Sequence, residues 1–428
     1  MNEDKVYKAG DIEIRDLILT NFVGKKLNLK KSLMQMDICE DLFSSSVSGT
    51  LRITDTNNMI EDFPIIGEET LEITYRTSAD FKYVTRKFEV YGLTNKDSLG
   101  DKSYVATLNF CSEEFLTNRS VLVSRSFANM TPSDIAKSVL KNIIRTKKPI
   151  LVEDTIGVNT YVAPSIYPFE VIAAMTKRAR SSVNVNGGAY MFFENSNGFN
   201  FVSLESLFKR KPIEYRMGFR DSYASNLSAL HTITAINQRS QVSMLDAISS
   251  GALGVNAKVL NLQTKELQDV SFDYFNDNQY KKINRVNGVN PSLRLTTTKF
   301  KHKTTDGLYK FMISSPSDFL SYKESNVSVR YSQLSCLVNG PKVDIEVPFN
   351  SDLGVGDMLK LVIPTMYSSD SELEIAKEDR FISGNYIALC VRHIITPQYA
   401  VTAVECGRDT YTSNHEDYVK QNNERLGI

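Results

Sequence analysis

YVAPSIYPFEVIAAMTKRARSSVNVNGGAYMFFENSNGFNFVSLESLF spans residues 161–208 and is punctuated by proline, glycine and asparagine. It divides into a helix and two strands. Pro168 suits the first helical position, where a missing N–H costs nothing. Phe169, Ile172, Ala173, Thr176 and Ala179 then recur at helical spacing. Lys177, Arg178 and Arg180 load the last turn, where positive charge complements the helix dipole. Asn186-Gly187-Gly188 breaks the pattern, and AYMFFE follows as an aromatic strand. Asn195–Gly198 supplies turn residues that tolerate positive φ, and FNFVSL returns as the second strand. An amphipathic helix laid on an aromatic hairpin is a packing unit, and nothing in it is catalytic.

Working outward, residues 10–111 are strand-like. LEITYR (71–76) and YVATLNF (104–110) alternate apolar and polar residues, and TLRITD, RKFEVYGL and IEIRDLILT complete a set of short strands. Residues 112–210 change to α+β: Thr131-Pro132-Ser133-Asp134 is a capping-box-like start before an apolar stripe of Ile135, Val139, Leu140 and Ile143. LHTITAINQ returns to strand patterning. Ser243–Ser250 reads as a short helix stopped by Gly251, and residues 257–275 read as a hairpin. From about residue 331 the chain reads as β again: VDIEVPF, MLKLVIP, NYIALCVRHII and YAVTAVEC, with a polar insertion at 365–380. The expected organisation is a β domain over 1–111, an α+β domain over 112–210, and a second β domain from 211–240 with 331–410. Residues 241–330 form a peripheral insertion and 411–428 a charged tail.

A chain of 428 residues exceeds what one core usually holds. Lys+Arg and Asp+Glu both number 50, which speaks against a dedicated nucleic-acid binder. Five scattered cysteines make no disulfide framework and read as reduced thiols of a cytoplasmically made chain. MNEDKVYKAG lacks the apolar core of a signal peptide, and no run is long and apolar enough for a membrane helix. The sequons at Asn118, Asn129, Asn226 and Asn326 therefore read as chance matches.

Candidate chemistry is sparse. Cys390, His393 and Cys406 are zinc-type ligands, but Cys390 and His393 sit three apart in one strand, hence on opposite faces, and no fourth ligand is placed. The remaining histidines, His231, His302 and His415, lie in no catalytic motif; there is no nucleophile elbow and no H-E-x-x-H. Gly354-Val355-Gly356-Asp357 lacks the residues of a phosphate loop and reads as a strand-entry turn. Lys209-Arg210-Lys211 reads as a linker at a domain edge. No catalytic, cofactor-binding or metal-binding residue is assigned, and no cofactor is expected.

Three stretches, in order, resemble one family. They are residues 161–208, ICEDLFSSSVSGTLRITDTNNMIEDFPIIGEETLEITYR (38–76), and FNSDLGVGDMLKLVIP (349–364) with SGNYIALCVRHIITPQYAVTAVECGRD (383–409). Together they are similar to the baseplate hub protein of contractile-tailed phages. The resemblance implies a mainly β chain with two tail-tube-like antiparallel β-barrel domains plus an α+β domain and insertions. It implies a homotrimer forming a ring of six barrels that adapts a six-fold tail tube to a three-fold spike. The implied partners are the trimeric spike below, tail tube or tube-initiator proteins above, and a tape-measure protein in the channel. Genomic DNA would pass transiently, without stable membrane insertion, and the chain would reside in the virion tail baseplate. The hub of a type VI secretion or other contractile injection machine is the alternative, and a tail-associated cell-wall hydrolase a further one. Purified protein is expected to carry no metal; one zinc per chain in elemental analysis would overturn this.

Overall fold

The fold is that of a computed structural model. It describes residues 9–412 except 56–58, 78–81, 99–102, 185, 219–228, 241–242, 263, 274–282, 288–289, 292–307, 315–323, 365–377 and 380. Residues 413–428 of the expected tail and most of the 365–380 insertion thus lie outside the described residues, as do His302 and His415, whereas Tyr411 is buried and pairs with Asn290.

The first block supplies β1 (Ile12–Thr20), β2 (Lys26–Asn28), β3 (Leu33–Asp41), β4 (Ser48–Asp55), β5 (Thr70–Thr77), β6 (Val84–Ser98) and β7 (Tyr104–Cys111). The next supplies β8 (Val123–Met130), β9 (Ile150–Val152), β10 (Asn159–Ile166), β11 (Tyr190–Asn195) and β12 (Gly198–Ser203). The rest supplies β13 (Ile213–Arg216), β14 (Ala235–Ser240), β15 (Gly254–Asn261), β16 (Leu267–Asp273), β17 (Asn290–Pro291) and β18 (Tyr309–Ser314). It continues with β19 (Lys342–Pro348), β20 (Met358–Val362), β21 (Gly384–Ile395) and β22 (Ala400–Gly407). The chain is mainly antiparallel β.

One long sheet runs β14–β19–β22–β21–β3–β4–β7–β6–β5–β1–β2, with β20 also on β21 and β13 on β20. It contains two six-strand sets of the same order, β3–β4–β7–β6–β5–β1 and β14–β19–β22–β21–β20–β13. The registers correspond as well. Glu89 of β6 pairs with Cys111 and Thr70, and Ile387 of β21 pairs with Gly407 and Met358. A bulge follows at the same point, between Val90 and Gly92 in one set and Ala388 and Cys390 in the other. The sets differ at the last pairing, which is antiparallel for β1–β5 and parallel for β13–β20. Among the described residues no strand pairing closes either set into a barrel.

Alternation explains the strands. Leu71, Ile73 and Tyr75 are buried while the residues between them are partly exposed, so one face of β5 fills a core. One core sits within the first set and one within the second. A third lies under the α+β block and includes Ile135, Val139, Phe169, Ile172 and Met175. Thr131 caps its helix by accepting from the Asp134 N–H, and Pro168 opens the helix Pro168–Arg178. The stripe expected to continue through Ile143 instead buries Ile144, because residues 139–144 form a π-helical turn that shifts the face.

Other departures have physical reasons. The hairpin β11–β12 is buried along its whole length on both faces. Tyr190, Phe192, Phe199 and Phe201 meet the helix side, whereas Met191, Phe193 and Val202 belong to the core of the second strand set. Two buried faces explain the near-continuous apolar run. Where strands were expected from 331, the helix Glu324–Val338 runs instead. It buries Val329, Ser332, Gln333, Ser335, Cys336 and Leu337. That helical period is hidden from a hydrophobic count because four of the six are polar or thiol. The helix Glu113–Ser120 likewise buries Glu114 and Asn118, not apolar residues.

Gly356 has φ +84°, and a Cβ there would lie 2.8 Å from Cζ of Phe193. The strand-entry turn thus presses on the hairpin. Gly356→Ala is expected to cost about 2–4 kcal/mol in chemical denaturation, from strain plus overpacking. Adding Phe193→Ala should cost less than the two singles summed, since they share one contact.

Candidate functional site

The most heavily built polar region is the joint where three parts of the chain meet. β3 is antiparallel to β21, with Glu40 opposite Val391 and Asp37 opposite Ile394. Glu40 is fully buried. Its Oε2 accepts from the Val355 N–H at 3.1 Å, and Arg86 Nη1 lies 3.8 Å from its Oε1. Beside it, Glu194 of β11 accepts from the Val47 N–H at 3.0 Å, Ser112 Oγ at 2.5 Å and Lys148 Nζ at 2.6 Å. Lys148 Nζ also donates to Glu114 at 2.6 Å, and Asn195 Nδ2 donates to the Val355 carbonyl at 3.2 Å. The first strand set, the α+β block and the 353–357 turn are thereby bound through charged side chains.

Burial raises the Glu40 carboxyl to about 7, against the opposing pull of Arg86. Burial also works against charge on Lys148, but Glu194 and Glu114 more than offset it and hold the ammonium above its usual range. Glu205 forms a second such node. It is buried, takes a 2.5 Å bond from Gln333 Nε2, and is raised by burial to about 7. Gln333 Oε1 accepts from the Gly188 and Ala189 N–H groups, tying the helix Glu324–Val338 to the start of the hairpin.

The sequence candidates fall apart as a site. His393 is buried in β21, its Nδ1 3.0 Å from Thr402 Oγ1 and its ring 5.1 Å from that of Phe349. Burial lowers its pKa to about 3, so it stays neutral. Burial pushes the Cys390 thiol up to about 12 and raises that of Cys406 further. His231 lies against Tyr215, with ring centroids 5.2 Å apart. Among the described residues no three His, Cys, Asp or Glu side chains gather into a metal-sized group. Arg178 covers the Tyr161 ring at 4.9 Å. The Lys209–Lys211 run is not a bare linker: Lys209 donates to Asn184 at 2.6 Å, and Arg210 reaches the Gly356 carbonyl and Asp357. Asn118 is buried and caps the helix Pro168–Arg178 by accepting from the Phe169 N–H at 2.8 Å. None of the joint carboxylates was singled out in the sequence; Glu40 lay only within the 38–76 stretch that carries the family resemblance.

The outer face of the long sheet is polar and pairs its charges internally. Arg392 meets Asp37 at 2.9 Å, Arg239 meets Glu405 at 2.6 Å and Asp344 at 3.3 Å, and Lys342 meets Glu405 at 3.0 Å. Arg239, Asp344, Arg392 and Glu405 line a shallow groove of about 370 Å³ across β14, β19, β22 and β21.

No family model matches the chain, and no curated protein matches it in sequence. Solved structures do match in fold. The tail protein from Neisseria meningitidis MC58 superposes with a TM-score of 0.54 at 12% identity, covering 92% of this chain and 96% of that one. The 43 kDa tail protein of prophage MuSo2 from Shewanella oneidensis gives 0.52 at 10% identity, covering 92% and 98%. The chain has the fold of these phage tail proteins over nearly its whole length.

Both buried glutamates are raised in the fold, so their stabilising contribution is full below about 4.5 and is lost as pH rises through about 7. The melting temperature is expected to fall between about pH 5 and pH 8. Glu205→Gln should flatten part of that fall, a difference of up to about 3 kcal/mol. An unchanged pH profile in Glu205→Gln would contradict the assignment.

Proposed function

We propose that this chain is a structural hub of a phage tail baseplate. The observation that carries the reading is the doubled six-strand set in one sheet, in a chain with the fold of phage tail proteins. Each set is read as one tube-like module: residues 1–111 in the first, 211–240 with the β19–β22 region in the second. The α+β block at 112–210 and the 241–330 region decorate them. Three chains then present six similar modules, which matches a six-fold tube on one side and a three-fold spike on the other. Such a ring uses heterologous contacts that close on themselves.

The polar sheet face suits the wall of a channel that DNA and a tape-measure protein traverse. Phosphate affinity rises with each free Lys or Arg. On this face Arg392, Arg239 and Lys342 are already engaged by carboxylates. The chain is read as non-enzymatic: its buried carboxylates are occupied in holding parts of the fold together, and among the described residues its thiols and imidazoles are scattered and gather into no metal-sized group. A reconstruction of tail particles with the chain tagged is the test. Three copies at the tail tip, between tube and spike, are expected; six copies, one copy, or a location elsewhere on the virion would sink the reading.

A further inference from the structure

Four parts of the chain frame an open groove. The turn after β3, the helix Glu113–Ser120, the helix Pro168–Arg178 and the helix Glu324–Val338 surround a space of about 320 Å³, floored by aromatic residues of β11. That is the low end of the roughly 300–1,000 Å³ of ligand pockets, room for one bulky side chain and its neighbours. Ala173, part of the apolar spacing read from the sequence, is exposed here, and its short side chain keeps the groove open. Phe43 stands at the rim, 51% exposed, on a turn fixed by Asp41, whose Oδ1 accepts from the Phe43 N–H at 2.8 Å. A well-held exposed aromatic beside an apolar cleft is the chemistry of a binding anchor.

The charged groups of the lining are unequal in sign. Arg119 lies over the Phe115 ring at 5.4 Å and the Tyr167 ring at 5.0 Å, and among the described residues it meets no carboxylate. Stacking occupies the guanidinium face and leaves its N–H edge for an acceptor. Arg330 adds a second guanidinium, held by its bond to the Thr176 carbonyl at 2.6 Å. Glu170 is the one carboxylate of the lining; its Oε2 accepts from the Tyr167 N–H at 3.2 Å, which leaves Oε1 for a second donor. We propose that this groove docks an acidic peptide segment of a partner protein. One bulky apolar residue sits on the aromatic floor, a flanking carboxylate meets Arg119, and a backbone N–H meets Glu170. Two guanidinium groups against one carboxylate favour an anionic occupant. Glu170 repels a phosphate, which brings no donor for it, whereas a peptide does. The groove is too open for a cofactor: Phe43, Arg119, Glu170 and Ala173 all reach solvent, while a small ligand is usually buried to roughly 70–90%. The proposal does not rest on the hub reading.

The test uses the whole purified chain and a set of labelled nine-residue peptides. Each has a central Phe, Leu or Ala, flanked by Asp and Glu, by Ser, or by Lys. In fluorescence anisotropy the acidic Phe and Leu peptides should bind at least about tenfold more tightly than the acidic Ala peptide or any Lys-flanked one. Arg119→Glu, at an exposed position, should weaken that binding about tenfold and turn the preference toward the Lys-flanked peptides. Ala173→Trp should fill the groove and abolish binding of every peptide, and both variants should melt as the parent does. Equal binding of the Phe and Ala peptides overturns the anchor. An acidic preference that survives Arg119→Glu overturns the groove as its seat. A labelled oligothymidine that binds more tightly than any peptide, and is lost in Ala173→Trp, assigns the groove to nucleic acid and overturns the proposal. Every measurement is made without tail particles, so its failure leaves the hub reading standing.

Discussion

The ladder between β3 and β21 holds the two halves of the chain in one sheet. It makes one sheet out of two strand sets whose residues lie far apart in sequence, with Cys390 to Ile395 set against Asp41 to Met36. Loop closure over such a distance is slow and entropically costly. The joint must therefore be specified strongly. A slip of one residue would turn Ile38 and Met36 out of the core and part Asp37 from Arg392. The charged groups around it sharpen that choice. Glu40 and Glu194 find their donors only when Val355, Val47 and Lys148 are in place. A misdocked arrangement leaves a buried charge uncompensated, at roughly several kcal/mol each.

The α+β block acts on this joint as a wedge. Its hairpin inserts one aromatic face beneath its own helix, where Phe169 meets Phe192 at 5.4 Å, and the other into the second core. Phe193 then rests on Gly356, whose turn holds Asp357, and Asp357 is paired with Arg210 at the end of the block. Packing and polar contacts at the joint thus support one another. The 353–357 turn is the shared element: Val355 reaches Glu40 on one side while its carbonyl accepts from Asn195 on the other. Removing the hairpin would expose apolar surface in the second core.

Much of this was legible in the sequence, and the misses have a common cause. Alternating strands such as β5, β7, β19 and β22 bury one face, and period-two patterning reports that directly. The helix Pro168–Arg178 and the turn at Gly356 declared themselves through proline and glycine. The helix Glu324–Val338 did not, because its buried face is built from Ser332, Gln333 and Cys336, which hydrogen-bond to Ala252 and Glu205 instead of filling an oily core. β3 escaped for a related reason: it carries Asp37 and Glu40 buried, and acidic residues weigh against a strand. The joint was invisible as a site because its members, Glu40, Arg86, Lys148 and Glu194, come together only through tertiary pairing. Nothing in their local sequence distinguishes them from surface charges.

The chemistry of the outer edges, among the described residues, differs from that of the internal joint. The internal ladder is lined by Val391, His393, Ile395, Ile38 and Met36 on its buried side, and forms once, as the chain folds. The free edges present Thr94 and Asp97 on one strand and Asn237, Gln238 and Arg239 on the other. Long, flat, apolar edges would join indiscriminately before a partner arrived; polar and charged residues on an exposed edge suppress that.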